Sequence, residues 1–583
     1  MPYLGRCRRS GGKLVRVLVA DPTASFDARL CREQFDRVID LGVSGQARRE
    51  SLKEPLHCQI EPAQKLDTTD FARIRELFSA GLGQVVDEHG VDWWELASME
   101  FHQQLEMLMT LKKIALEIEE CDELFVTRPG IHADALGLIL KRPVGILHPR
   151  HALGARFRHY ARVFRKFSLH ELLQIAADKY DAGYRLRRFV AQRNKRCACP
   201  VVLLPSAYVN ASRTVLRYAD MLPESNFLLV TTRSSGRTAV RPDNVEMANL
   251  SSYASGNSGR LEFQVLLRKF TTLINGLMGF EEFAILDRLG SFNRIPKFLQ
   301  DGLAVRNAWL KVFEKEPVSA VLCGDEALAF TCLPVLIARY RGLPTVACHH
   351  GALDGRYRFM RVRADVFLAK GRMEHEYTVR NCGVEAVKVK IGAPLVNVRT
   401  TSARPKRFIV FFSEPYEIVG GRCSEFYKEI LPRLAGIASA TGHELVVKLH
   451  PFESRRERVR LINAVLSERE RDVTRVVAGP LSDELLEEAW CAVTVLSTTA
   501  VDCTLRGIPV FLCEWLDCSQ YGYSQQFAKF GAGTALNSPN DIRQIPALIK
   551  NFKPTNITDL CNPITAEDLE ELLSGSVVMA EAV

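Results

Sequence analysis

A chain of 583 residues, 47% hydrophobic and 25% charged, is too long for one ordinary core and has the make-up of a globular protein, which excludes disordered and fibrous classes. A net charge of +9 over that length permits an anionic substrate or membrane surface without calling for nucleic acid. Sixteen cysteines without paired C-x-x-C spacing read as reduced, buried thiols, not as a disulfide framework or a zinc site.

Residues 1–12 are basic but lack the apolar run of a signal peptide, and no stretch approaches the roughly 18–20 apolar residues of a membrane span. A cytoplasmic protein is expected, with peripheral attachment to the inner face of the cytoplasmic membrane as an added expectation. An apolar strand over 14–20 comes first, followed by helices near 70–87 and 98–119 and strands over 123–127 and 144–147. A basic helical segment spans 156–196. Strands over 201–204 and 227–231 flank a helix near 213–222, and 256–313 is mainly helical. From Ser319 strands and helices alternate regularly, with strands at 320–323, 345–348, 366–368 and 387–391, which implies parallel βαβ units. Residues 396–406 are polar and contain Pro405, as a linker would. Strands at 407–412, 444–449, 473–477, 491–496 and 508–512 make a second such unit, and a helix near 565–574 is expected to pack back across the first.

The fold class expected is α/β, two Rossmann-like domains facing across a cleft, the GT-B arrangement, with a helical insertion in the first domain. Residues 1–395 are expected to form the first domain, 396–406 the linker, 407–555 the second domain, and 556–583 a C-terminal helix and tail. No strand carries the G-x-G-x-x-G dinucleotide fingerprint, which disfavours a nicotinamide or flavin enzyme.

Two strand-to-helix turns carry the chemistry of the second domain. The buried run 444–449 stops at His450-Pro451, and Ser454 to Glu457 has capping-box spacing. The run 491–496 leads into Ser497-Thr498-Thr499-Ala500-Val501-Asp502. Hydroxyls at a helix start suit a phosphate, and ligands of open α/β sheets lie outside the carboxyl ends of strands.

These residues resemble a known group. Gly324-Asp325, the run from Gly342 to His349-His350-Gly351, the run Ala364 to Gly371 and Ile391-Gly392-Ala393-Pro394, together with the Leu-His-Pro and Ser-Thr-Thr-x-x-Asp turns, resemble bacterial surface-polysaccharide transferases. The nearest in style are the CDP-glycerol glycerophosphotransferases and the capsule-type Kdo, sialic-acid and polysialic-acid transferases. The resemblance covers roughly residues 318–536. It implies that the His-Pro and Ser/Thr-rich motifs bind donor phosphate and that a histidine or acidic residue is the base. UDP-GlcNAc 2-epimerases share the fold but carry a Ser-Gly-Gly-x-x-Glu-Glu-like element where this chain has Ser497 to Asp502, which argues against an epimerase.

Each candidate has a plainer explanation beside it. His450 can bind a phosphate oxygen or cap a strand; Lys448 can reach the donor or emerge at the sheet edge. Ser497, Thr498 and Thr499 can each be an N-cap, yet three hydroxyls exceed what one cap needs. Asp502 stands at capping-box spacing from Thr499. Ser413 and Glu414 end the first strand of the second domain, where they can touch nucleotide or sugar or form a turn. His350, before Gly351, is assigned as the base by family match, with His349 as alternative on the acceptor side. Asn210 is placed on the acceptor side by position alone, and Asp325-Glu326 reads as helix-start chemistry. Tandem histidines suggest a metal, but no Cys, Asp or Glu stands at ligand spacing, so none is expected. Phe157, Tyr160, Phe164 and Phe167 share a helical face whose remainder is basic, which suits an anionic membrane interface or an ordinary core.

The function expected is transfer of a sugar or sugar-like group from a CMP-, CDP- or UDP-linked donor to a surface polysaccharide or glycolipid acceptor, with no obligatory metal or other cofactor. The rivals are a non-hydrolysing UDP-HexNAc 2-epimerase and a non-catalytic protein of the same fold that binds glycan or partner.

Overall fold

The computed structural model describes residues 15–21, 34–42, 58–118, 121–147, 199–233, 240–254, 259–351, 361–395, 405–419, 421–516, 522–553 and 557–575, with Gly236 and Leu353 between. The basic helical segment 156–196 and most of the linker expected at 396–406 lie outside the described residues.

Three all-parallel sheets organise the chain. The first has five strands: β1 (Arg16–Ala20), β2 (Arg37–Asp40), β3 (Gln59–Pro62), β4 (Glu123–Val126) and β5 (Gly145–Ile146), in spatial order 3-2-1-4-5. The second has seven: β6 (Val201–Ser206), β7 (Asn226–Thr231), β8 (Val245–Asn249), β9 (Val318–Cys323), β10 (Thr345–Cys348), β11 (Val366–Ala369) and β12 (Val389–Ile391), in order 12-11-10-9-6-7-8. The third has six: β13 (Phe408–Phe412), β14 (Glu444–Lys448), β15 (Thr474–Val477), β16 (Ala489–Thr494), β17 (Val510–Cys513) and β18 (Thr534–Leu536), in order 15-14-13-16-17-18.

Each order has the doubly wound pattern, in which the chain builds outward from one central strand, then crosses to the other side. The crossover leaves a crevice at the carboxyl ends of two neighbouring strands: β6 and β9 in the second sheet, β13 and β16 in the third. Buried apolar strands make this possible, since every residue of β6 and β13 is buried and both faces must be covered by helices. The second and third units face one another as the two Rossmann-like domains of the GT-B arrangement. The helical insertion lies between β8 and β9 and comprises Arg260–Leu277, Glu281–Arg288 and Ile295–Lys315.

Residues 1–395, read from the sequence as one unit, thus hold two sheets. Helix α1 (Trp93–Glu117) joins them. Its first half buries Trp93, Trp94, Phe101 and Leu105 in the core shared with β6 and the insertion, while Leu111 and Ile114 pack with Val17, Val19 and Leu124 of the small sheet. The small sheet also reaches the third unit. Asp40, at the end of β2, accepts two hydrogen bonds of 2.6 Å from Arg422, both side chains being buried. Arg422 immediately precedes α3 (Cys423–Thr441). At the other end of the chain, the helix Ala566–Ser574 lays Leu569, Leu572 and Leu573 on the seven-stranded sheet beside Val202, Val346 and Leu368. Among the described residues no helix is long and apolar enough to cross a membrane.

Candidate functional site

On the seven-stranded sheet, three neighbouring strand ends converge. Helix α2 (Val209–Ala219) follows β6 and carries Tyr208 at its start. Gly324 lets that helix close on the end of β9: a Cβ there would stand 2.7 Å from the Ala211 carbonyl oxygen, a contact no side chain tolerates. The close approach brings the Tyr208 hydroxyl to Asp325, to which it donates a hydrogen bond. The same hydroxyl is 3.0 Å from His350 Nδ1, and the two rings meet edge to face at 4.8 Å. Asp325 is further fixed by the Ala327 N–H, 2.9 Å from its Oδ1. His349, buried, stacks obliquely on His350 at 4.6 Å, with its Nδ1 3.1 Å from the Gly351 carbonyl oxygen and 3.2 Å from the Gly351 nitrogen.

The result is a relay, Asp325 to Tyr208 to His350, in which a buried carboxylate and a phenol orient a half-buried imidazole. Asp325, read in the sequence as helix-start chemistry, makes an N–H contact of that kind and also anchors the relay. No local motif marks Tyr208. Its only signal is positional: a polar aromatic two residues past the central strand, beside a crossover. Asn210 is exposed on the first turn of α2, next to this group, and its carbonyl accepts from Thr214.

On the six-stranded sheet the converging ends are those of β14, β13 and β16, which lie side by side. Ser497 is buried. Its hydroxyl oxygen accepts from the Thr499 hydroxyl at 3.0 Å, and it donates to Glu414 across the β13–β16 crevice. Burial pushes the Glu414 carboxyl up to about 7, the Ser497 bond opposing the rise and the neighbouring Glu453 adding to it. Glu414 therefore exchanges a proton near neutrality. Helix α5 (Thr499–Leu505) has only seven residues, so the hydroxyls, more than a helix dipole, give this turn its character.

His450 sits at the next strand end. The Phe452 N–H points at its Nδ1, 3.2 Å away, which leaves the proton on Nε2. Burial and the charge of Lys448 drive its pKa down to about 4, so at neutral pH His450 is an uncharged hydrogen-bond donor. Glu453 holds this turn in place, accepting from the His450 N–H at 2.8 Å, from Ser413 at 2.8 Å and from Arg458 at 2.6 Å. Arg458 belongs to α4 (Arg455–Val465), capped by Ser454 as its spacing implied.

Not every candidate joins these groups. Lys448 is buried and donates to the carbonyls of Leu449 and Gly479 at 2.9 and 2.6 Å, tying strand ends together. Ser413 is turned into the domain, 2.6 Å from the Tyr427 hydroxyl. Asp502 is exposed and its charge faces Lys370, Arg217 and Arg506.

The two strand-end groups adjoin. A Cβ on Gly351 would lie 4.0 Å from Thr498 Oγ1, ordinary van der Waals distance, so the His-His-Gly turn and the Ser-Thr-Thr turn border one gap. The arrangement can take a proton from a hydroxyl on one side and hold an anion with neutral donors on the other.

No protein-family model and no curated protein matches the chain. Among solved structures, the chain is similar to UDP-GlcNAc 2-epimerase of Methanocaldococcus jannaschii, at 12% identity and a TM-score of 0.41 over 64% of this chain and 99% of that one. It is similar to MnaA of S. aureus at 12% identity and 0.39, over 66% and 98%. The wall teichoic acid polymerase TagF aligns at 11% identity and 0.36, over 71% and 98%. Likeness at this level concerns the course of the chain and leaves the chemistry to the residues themselves.

Proposed function

We propose that the chain is a glycosyltransferase of the GT-B class that moves a sugar or sugar-like group from a nucleotide-activated donor to a hydroxyl of a surface polysaccharide or glycolipid. The observation that supports this reading is the adjacency of the Gly351 and Thr498 turns, across which the proposed base and the proposed phosphate-binding hydroxyls would work together. The acceptor hydroxyl gives its proton to His350, which Tyr208 and Asp325 orient and whose developing positive charge they offset. The acceptor oxygen bonds to the transferred carbon as the bond from that carbon to the phosphate oxygen breaks. The departing phosphate accepts hydrogen bonds from His450 Nε2–H and from the Thr498 and Thr499 hydroxyls, and it is met by the proton that Glu414 holds near pH 7.

A thermal-shift screen with CMP, CDP, UDP, GDP and their sugars tests the donor side. One base raises the melting temperature selectively, and His450→Ala and Ser497→Ala abolish the shift. No shift with any nucleotide, or one indifferent to both substitutions, overturns the reading. Turnover of a UDP-HexNAc with no acceptor present would replace transfer by epimerisation.

A further inference from the structure

The acceptor-side group has a second capacity. Among the described residues, Asp325, His349 and His350 are the one grouping of three metal-ligating side chains that converge, each offering a ligand atom within 4.8 Å of the others. The sequence hides it, because the histidines are adjacent while the carboxylate lies at the end of the neighbouring strand β9. We propose that these three residues bind a divalent first-row transition metal of the zinc class, and that its occupation takes His350 out of proton transfer.

The donor set decides the class of ion. Two imidazole nitrogens and one carboxylate oxygen suit Zn²⁺ and its first-row neighbours, whereas Mg²⁺ and Ca²⁺ seek all-oxygen shells. Atoms bound to one zinc at about 2.1 Å stand about 3.4 Å apart in a tetrahedron, so side-chain movements of about 1 Å close the present group around an ion. Outer-shell partners are already in place. Tyr208 bridges Asp325 and His350, and Gly351 meets His349 Nδ1 with both its carbonyl oxygen, at 3.1 Å, and its N–H, at 3.2 Å, which fixes the ring's orientation. Two of the ligands, Asp325 and His349, are buried, and the half-buried His350 opens the site to the gap. Three protein ligands leave a coordination position for water or an acceptor oxygen. A metal-bound His350 nitrogen has no lone pair for the acceptor proton, so zinc inhibits transfer and a chelator restores it. That inhibition rests on the transferase reading; the binding does not.

Equilibrium dialysis of the full chain against Zn²⁺ and, separately, Mg²⁺, with Co²⁺ absorption as a coordination probe, tests the site. One Zn²⁺ per chain is expected, with no comparable Mg²⁺ uptake and with Co²⁺ d–d bands free of thiolate charge transfer. Asp325→Asn and His349→Ala should each weaken binding at least tenfold. Tyr208→Phe should weaken it about 10- to 100-fold through the outer shell, while His450→Ala leaves it intact. Should Asp325→Asn melt prematurely, His349→Gln, judged against an unchanged melting curve, decides alone. No zinc uptake, uptake unchanged in the folded variants, or a thiolate band placing the ion on cysteine overturns the proposal. The nucleotide thermal shift, run with chelator present, reports on the donor site independently, so the two readings fail separately.

Discussion

The crevice of the seven-stranded sheet and that of the six-stranded sheet share one topology and differ in what they do with charge. On the first, a buried carboxylate, a phenol and two imidazoles are linked into a group that attracts protons and cations. On the second, the Lys448 ammonium is spent on two backbone carbonyls, and the turns present an uncharged imidazole, hydroxyls and a carboxyl titrating near 7. A doubly wound sheet therefore supplies a place, and the residues one or two positions beyond each strand decide whether that place suits a nucleophile or a leaving group.

That contrast can be broken. The largest effect is expected from His350→Ala, which should lower kcat by about 10²- to 10⁴-fold while the nucleotide-induced melting shift stays unchanged; loss of the shift instead would erase the division of labour. Next comes Arg458→Met, which strands Glu453 as a buried charge beneath the His450 turn. It should cost about 3–5 kcal/mol of stability, read by chemical denaturation, and reduce donor affinity with it. Tyr208→Phe removes one hydrogen bond to a charged partner, worth about 1.5–3 kcal/mol. It should therefore slow turnover about 10- to 100-fold without altering donor affinity.

The smallest effect sharpens the comparison. Below about pH 7 the Glu414 carboxyl is protonated and does not repel a phosphate; as pH rises through 7 the carboxylate forms and opposes the anion. Affinity for a nucleotide sugar, whose own phosphates do not titrate there, should fall above pH 7 by up to about tenfold per unit. Glu414→Gln should flatten that slope in a calorimetric titration, and a slope that persists would assign the proton elsewhere.

The third sheet was the most readable part of the chain. Phe408 to Phe412 is apolar throughout because both faces are covered, and the adjacent hydroxyls of Ser497, Thr498 and Thr499 announce themselves. The small N-terminal sheet was not legible as a unit of its own. Its strands β2 and β3 have four residues each, with Arg37, Asp40, Glu61 and Pro62 among them, and β5 has two. Such short, polar runs gain strand geometry only from their neighbours. The helix expected over 70–87 stops at Ser79 because Gly83 takes φ +75° and the chain turns toward the bridge between Val86 and Asp92. The relay escaped for a different reason: Tyr208 lies 117 residues from Asp325 and 142 from His350, and only the sheet order makes them neighbours. His450 was placed correctly at a strand end, but its neutral state follows from Lys448 and the Phe452 N–H, which no local pattern displays.

The small sheet acts as an outrigger. Helix α1, about 37 Å long, is sunk at one end in the seven-stranded unit and at the other in the small sheet, whose Asp40 is clamped to Arg422 of the six-stranded unit. Spreading the two large units would shear that beam through two interiors or strip both partners of a desolvated ion pair. The two large units are thus tied to one another from outside, through a third body that belongs to neither.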